Sequence, residues 1–448
     1  MTEIDGYLAE TAYPPHLPRA FAPAWIDHVL RHGGRRPNRG WRGPFRYLDL
    51  GCGNGLHLIA FAAAHPEGRF VGTDANGEAM DRAAAIAAGL GVRNVEFRAE
   101  TFAETLAAGD GGFDYLAGLG LLSWVSAENR ALVFRIAGAL LAPGGAAAFG
   151  YNTLPGRAPE LLVQRMMLDE ARRGGGQADA IARVLDRLAA LAEAGALGLA
   201  HPRMKEMLTA RGSLNRAFLP HEYLSEHWAP LHSAEMIRIA ESEGLTFAGS
   251  LTPLENRPDF FLRKAQRAIV DAAPDMSERA RLIDLCIDQD FRRDLFVLSS
   301  GAAADRTEER LQAWLVAAGP AANVAYELQT PAGRLRFDST TARAIMARLE
   351  AGPARLADVE TPGTPADLLN ALDALVAVGA VEPADAPADI DAGRFNAWTL
   401  ERIAAEAPVV PALATPTGAR RLPAGLVAAL ARGARPTADL RRIGLTDL

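Results

Sequence analysis

The stretch Tyr47-Leu-Asp-Leu-Gly-Cys-Gly-Asn-Gly55 decides the fold. It opens on apolar positions around one acid, sets glycine at every second place from Gly51 to Gly55, and leads into an apolar run from Leu56 to Ala64. That order reads as a strand, a tight turn and the start of a helix. Glycine supplies positive φ and removes the Cβ that would block a close approach to the backbone. The turn therefore implies a ligand at the helix N-terminus. A dinucleotide-binding turn requires Gly-x-Gly-x-x-Gly, and the sixth place counted from Gly51 is Leu56, so the pyrophosphate form is excluded.

Composition bounds the rest. A chain of 448 residues with 49% hydrophobic and 23% charged residues is globular and long enough for more than one domain. Its formal net charge of -7 argues against a general nucleic-acid binder, which would carry a basic field. The cysteines are Cys52 and Cys286, far apart, so neither a disulfide framework nor a cysteine-based zinc site is implied. No apolar run has signal-peptide character or approaches the roughly 20 residues of a membrane span. The expectation is a cytoplasmic protein with no membrane insertion and no nucleic-acid partner.

Residues 1–23 carry Pro14, Pro15, Pro18 and Pro23, which break any continuous helix and predict an extended N-terminal arm. A short helix follows from Ala24 to His32. From Phe45 onward strand and helix patterns alternate, as in a parallel sheet with crossover helices. The second strand, Arg69 to Thr73, ends at Asp74, an acid placed to accept both hydroxyls of a ribose. The third strand ends at Glu100, with Thr101 and Phe102 beside it; the fourth is Phe113 to Leu119. A helix, the turn Pro143-Gly-Gly145 and a fifth strand, Ala146 to Gly150, deliver Tyr151-Asn-Thr-Leu-Pro-Gly156 to the carboxyl edge of the sheet, where open α/β sheets bind ligands.

The pattern Asp-x-Gly-x-Gly-x-Gly from Asp49 to Gly55, together with the Pro143-Gly-Gly145 turn, resembles motif I and its fold context in the class I S-adenosylmethionine-dependent methyltransferases. The resemblance implies an α/β, Rossmann-like seven-stranded sheet and S-adenosyl-L-methionine as cofactor. The cofactor-contacting set it implies is Asp49, Gly51, Cys52, Gly53, Asn54, Gly55, Asp74, Ala75, Glu100, Thr101, Phe102 and Leu119, with Glu100 receiving the adenine amino group. Cys52 is also read simply as a small residue in a crowded turn. Asn-Pro-Pro-Tyr does not follow the fourth strand, which disfavours methylation of DNA adenine or of glutamine.

After Gly156 the alternation stops, and residues 157–231 read as a helical insertion over the active-site edge. An amphipathic helix from Ser233 to Glu243 and a strand from Leu245 to Ser250 resume the sheet, with Asp259 to Arg263 expected as the seventh strand. The methyltransferase domain is thus expected over 24–156 and 232–265, and a helical connector over 266–302. Residues 303–400 read as a winged-helix-like α+β module, and 401–448 as a tail of proline-rich turns and weak helices. Thr364 to Asp391 holds no Lys or Arg, so that module is expected to contact protein or act as a spacer.

Tyr151-Asn-Thr-Leu-Pro-Gly156, His221-Glu-Tyr-Leu-Ser-Glu-His-Trp228 and Phe291-Arg-Arg-Asp-Leu-Phe-Val297 resemble segments of methyltransferases that carry a regulatory domain, among them bacterial lysine methyltransferases acting on outer-membrane proteins. The resemblance implies N-methylation of a protein lysine. A small-molecule acceptor under a helical lid, or a non-catalytic cofactor-binding regulator, are the alternatives. Tyr151 and Asn152 are the candidate catalytic residues, orienting an incoming amine by hydroxyl and amide. Trp124, His221 and Tyr223 are the candidate substrate contacts. His221 and His227 are not at the four-residue spacing of a metalloprotease helix, so no metal is expected. The oligomeric state is left open, a homo-oligomer included.

Overall fold

The computed structural model describes residues 15–213, 218–298, 303–432, 434, 437–443 and 445. Its centre is a seven-stranded sheet in the order β3-β2-β1-β4-β5-β7-β6. The strands are β1 (Phe45–Leu50), β2 (Gly68–Asp74), β3 (Val95–Ala99), β4 (Phe113–Leu119), β5 (Leu141–Asn152), β6 (Leu245–Ser250) and β7 (Phe291–Leu298). β1 to β5 run parallel and β7 is antiparallel to both its neighbours, with Tyr151 opposite Arg292 and Asn152 opposite Phe291. A parallel sheet is covered on both faces. Helices α1 (Pro23–His32) and α2 (Leu56–Ala64) cover one face, while α5 (Ala127–Leu140) and α10 (Ser233–Ser242) cover the other. Between them in sequence lie α3 (Gly77–Leu90), α4 (Phe102–Ala108), and the insertion helices α6 (Leu161–Arg172), α7 (Gln177–Glu193), α8 (Pro202–Ala210) and α9 (Leu219–Tyr223).

The seventh strand is not where the sequence pattern put it. Asp259 to Arg263 falls in and beyond α11 (Pro258–Phe261), where Pro258 occupies the first helical turn, the position in a helix that tolerates its missing N–H. The strand is instead β7, reached through α12 (Lys264–Asp271) and α13 (Met276–Ile287). β7 is buried despite Arg292 and Asp294 because those charges pair: Arg292 Nε lies 2.9 Å from Asp294 Oδ1, and Arg292 Nη1 lies 2.6 Å from Asp284 Oδ1. Charges taken out of water persist only when paired and hydrogen-bonded in this way.

The insertion has its own apolar core, built from Val163, Met167, Ile181, Val184, Leu188, Met204 and Tyr223. The C-terminal region begins with α14 (Thr307–Leu311) and the strand β8 (Trp314–Ala317). β9 (Glu327–Thr330) and β10 (Gly333–Arg336) form a hairpin, and α15 (Thr340–Glu350), β11 (Ala354–Arg355), α16 (Pro365–Ala377) and β12 (Val381–Ala384) follow. β11, β8 and β12 make a three-stranded antiparallel sheet. Past α17 (Gly393–Ala404), the segment expected as turns and helices contains a further hairpin, β13 (Ala412–Thr415) and β14 (Gly418–Arg421), which packs on α2.

The C-terminal region shares one apolar cluster with α1 and α2, running from Trp25 and Phe61 to Leu315, Leu372 and Ala412. Buried charges cross the same boundary. Arg39 lies 2.9 Å from Asp27 and 2.5 Å from Asp385, and His65 Nε2 lies 2.8 Å from the other Asp385 oxygen. Asp373 takes Arg257 at 2.6 Å and Arg310 at 2.7 Å.

Candidate active site

The carboxyl ends of β1, β2 and β3 meet at the glycine turn. Gly51, Gly53 and Gly55 have φ of 66°, 59° and 65°, the left-handed region that favours glycine. Space adds a different reason at each. A Cβ on Gly55 would lie 2.4 Å from the Phe97 ring, so this glycine lets α2 close onto the sheet. A Cβ on Gly53 would meet nothing within 4 Å, so its face is open to a ligand. A Cβ on Gly51 would stand 3.2 Å from Leu121.

Acids surround that open face. Asp74 accepts the Gly53 N–H and the Asn76 N–H, each at 2.9 Å, which ties the end of β2 to the turn. Burial raises its pKa; the two N–H bonds pull the other way and nearby Asp49 adds to the rise. Each carboxylate oxygen keeps a second lone pair for a hydroxyl donor. Asp49 is held by His57 Nε2 at 2.6 Å, and the His57 ring stacks against His16 with centroids 6.5 Å apart. Asn54 accepts the Leu56 N–H at 3.1 Å and so shapes the turn. Ala75 is exposed beside Asp74. Glu100 is partly buried, and its carboxylate accepts the Thr105 hydroxyl at 3.2 Å.

Other expected contacts are placed differently. Cys52 Sγ points under the turn to Met80 Sδ at 3.7 Å, and burial raises its pKa, so only its backbone faces the turn. Thr101 caps α4 in a reciprocal bond with Glu104, which occupies its hydroxyl. Phe102 packs on the apolar cluster under α5. Leu119 is partly buried at the end of β4, against Gly150.

Around the end of β5 the candidate catalytic pair separates. Tyr151 is 0% exposed and its hydroxyl donates to Asp294 Oδ2 at 2.5 Å. Burial raises its pKa, with Asp294 adding to the rise. Its side chain is part of the sheet's interior, because β5 is a central strand with both faces covered, and its hydroxyl is committed to Asp294. Asn152 points the other way along the strand, also at 0% exposure. Its Nδ2 donates to Glu222 Oε1 at 3.2 Å, and its Oδ1 has no hydrogen-bond partner.

The candidate substrate contacts gather here. Trp124 Nε1 donates to the Glu222 carbonyl at 3.2 Å, and Ser225 Oγ donates to the Trp124 carbonyl at 2.9 Å. Tyr223 donates to Glu160 Oε2 at 3.0 Å, and its ring centroid lies 6.2 Å from that of Trp228. His221 is buried on α9. Sequence reading did not connect Glu222 to Arg157, which lies 3.2 Å from Glu222 Oε1 and 2.7 Å from Glu160 Oε2. Burial raises the Glu222 pKa, and Arg157 and the Asn152 amide oppose that rise.

The residues fit S-adenosylmethionine. Gly53 gives an open backbone face, Asp74 and Glu100 give carboxylate acceptors suited to ribose and adenine donors, and Asp49 adds a further carboxylate just before the turn. No helix among the described residues is long and apolar enough to cross a membrane.

Comparison with known proteins agrees with this geometry. Residues 48–145 match a family model described as "Methyltransferase domain", and residues 215–298 match "Predicted methyltransferase regulatory domain". The second match contains β6 and β7, so the segment named for regulation completes the catalytic sheet. A Synechocystis protein, sll1526, is 28% identical over 351 residues, 76% of this chain and 69% of that protein. RP028 of Rickettsia prowazekii is 32% identical over 162 residues, 36% of this chain and 62% of that protein. The solved structure of PKMT2 from Rickettsia typhi in complex with AdoHcy superimposes with a TM-score of 0.69 at 18% identity, covering 96% of this chain and 90% of that one. The chain carries a class I S-adenosylmethionine-dependent methyltransferase domain whose sheet is completed by a methyltransferase regulatory segment.

Proposed function

We propose that this chain N-methylates lysine side chains of a protein substrate, with the acceptor amine entering at the end of β5. The observation carrying this reading is that three separated sequence segments meet at that point. Asn152 Nδ2 donates to Glu222 Oε1 at 3.2 Å, and Asn152 lies opposite Phe291 in the sheet. These are the segments whose sequences resemble lysine methyltransferases, and PKMT2 shares the fold.

When bound, S-adenosylmethionine supplies an electrophilic methyl group on a sulfonium sulfur. Asp49, the Gly51 to Gly55 turn, Asp74 and Glu100 would hold it. The protein's remaining task is to align a nitrogen lone pair and keep water away, and such positioning supplies much of the barrier reduction in bimolecular transfers. Asn152 offers a fixed amide for this, and Trp124 and Tyr223 supply walls. Cys52 and Cys286, both free thiols, accord with a reducing, cytoplasmic setting.

The test is incubation of the full chain with radiolabelled S-adenosylmethionine and a cell lysate, followed by separation into protein and small-molecule fractions and acid hydrolysis of the protein. Methyl-lysine in the protein fraction is expected. Label confined to small molecules, or to none, overturns the reading.

A further inference from the structure

Asn152 Oδ1 is fully enclosed and lacks a partner, and two other orphaned polar atoms, Arg157 Nε and Trp228 Nε1, belong to the same junction. Buried polar groups are nearly always satisfied, so an orphan at the ligand-binding edge of a sheet points to a group that arrives later. The Asn152 amide is oriented by its own donor: Nδ2 is committed to Glu222 Oε1 at 3.2 Å, which leaves the carbonyl oxygen to receive. The arriving group is therefore a hydrogen-bond donor.

Its charge follows from the ion pairs. Glu160 takes both Arg157, at 2.7 Å, and Arg203, whereas among the described residues Glu222 is ion-paired with Arg157 alone, which it shares, at 3.2 Å. Arg203 is divided further, lying 2.6 Å from Asp290. Glu222 is thus an incompletely neutralised carboxylate next to an unpaired carbonyl oxygen. An ammonium or amine has N–H donors for both, whereas a carboxylate or phosphate has none.

We propose that Glu222, which the regulatory segment contributes, is a specificity-determining residue: with Asn152 Oδ1 it forms the subsite that selects an alkylamine as methyl acceptor. The assignment rests on the acceptor reading given above. It makes the regulatory segment part of the substrate site, since displacing α9 would remove Glu222 from Asn152 and leave the amide unoriented.

The test uses the full chain saturated with AdoHcy and three probes of one size: n-butylammonium, n-butanol and butyrate, titrated calorimetrically. The wild type is expected to prefer n-butylammonium to n-butanol by fivefold or more and to reject butyrate. Glu222→Gln keeps the shape and an oxygen for Asn152 Nδ2, and is expected to lose that preference while AdoHcy affinity stays within twofold. Glu222→Asp, retaining the charge, is expected to recover part of the preference, a rescue that a purely structural role does not give; it also serves if the Gln variant fails to fold. Equal preference in the wild type and Glu222→Gln, or no cation preference in the wild type, overturns the proposal even where lysate lysines are labelled. A wild type that labels no lysine overturns the acceptor reading and this proposal with it.

Discussion

Asp74 Oδ2 accepts the N–H of Gly53 at 2.9 Å, so one carboxylate both shapes the glycine turn and borders the face where a ligand approaches. Asp74→Ala removes the turn's tie and the ribose acceptor together. Charge-assisted hydrogen bonds are each worth about 1.5–3 kcal/mol, so AdoHcy affinity is expected to fall tenfold or more. Isothermal titration calorimetry measures it directly, and unchanged affinity would take Asp74 out of the cofactor site.

Gly53 and Gly55 share a backbone conformation but not a neighbourhood, and substitution by alanine separates the two. Both variants incur the left-handed penalty of about 1–2 kcal/mol. Gly55→Ala must also displace the Phe97 ring from within 2.4 Å, so its melting temperature is expected to drop well beyond that of Gly53→Ala. Gly53→Ala has open space and is expected to remain folded while losing AdoHcy binding. Comparable melting temperatures with comparable cofactor affinity would refute the division.

The glycine turn was legible because positive φ leaves a residue-specific mark in the sequence, and Asp74 because it ends a strand at a fixed distance from that turn. The surroundings of Tyr151 are not legible, for the opposite reason. On a central strand with both faces covered, alternation does not say which side chain turns toward the ligand, and only the bond to Asp294 places it inside. β7 was hidden by Arg292, Arg293 and Asp294, which look like a surface until Asp284 is seen to complete the pairing. Glu222 and Arg157 meet only through the tertiary fold, and no local pattern encodes such a pair.

His28 makes the acid limb of stability a measurable quantity. It is buried on α1, and desolvation lowers its pKa to about 3, against about 6.5 in an unfolded chain. The unfolded state therefore binds the extra proton first, and stability falls as pH drops through the window from about 6.5 toward 3. Asp373 and Asp385 are held well below the usual carboxylate range by their Arg and His partners despite burial, so their contributions are lost only below about pH 4. Urea denaturation at pH 7.5 and pH 5 is expected to show a larger stability loss in the wild type than in His28→Gln. Identical losses would mean that His28 does not carry this dependence.

Tyr151 and Asn152, adjacent on β5, are expected to fail in different ways. Tyr151→Phe deletes the hydroxyl that donates to Asp294 while Arg292 remains bonded there, so the expected cost is about 1–3 kcal/mol of stability with little change in turnover. Asn152→Ala removes the amide that bonds Glu222 at the end of β5 and leaves Glu222 with Arg157 alone among these partners. Turnover is then expected to fall tenfold or more, with AdoHcy affinity within about threefold of the wild type, since the amide lies beyond the glycine turn. Steady-state kinetics on a labelled lysine acceptor, paired with calorimetry for AdoHcy and urea denaturation for stability, separates the two. If Tyr151→Phe loses turnover as heavily as Asn152→Ala at full stability, the buried hydroxyl takes part in the reaction and its place in the sheet interior is not its whole role.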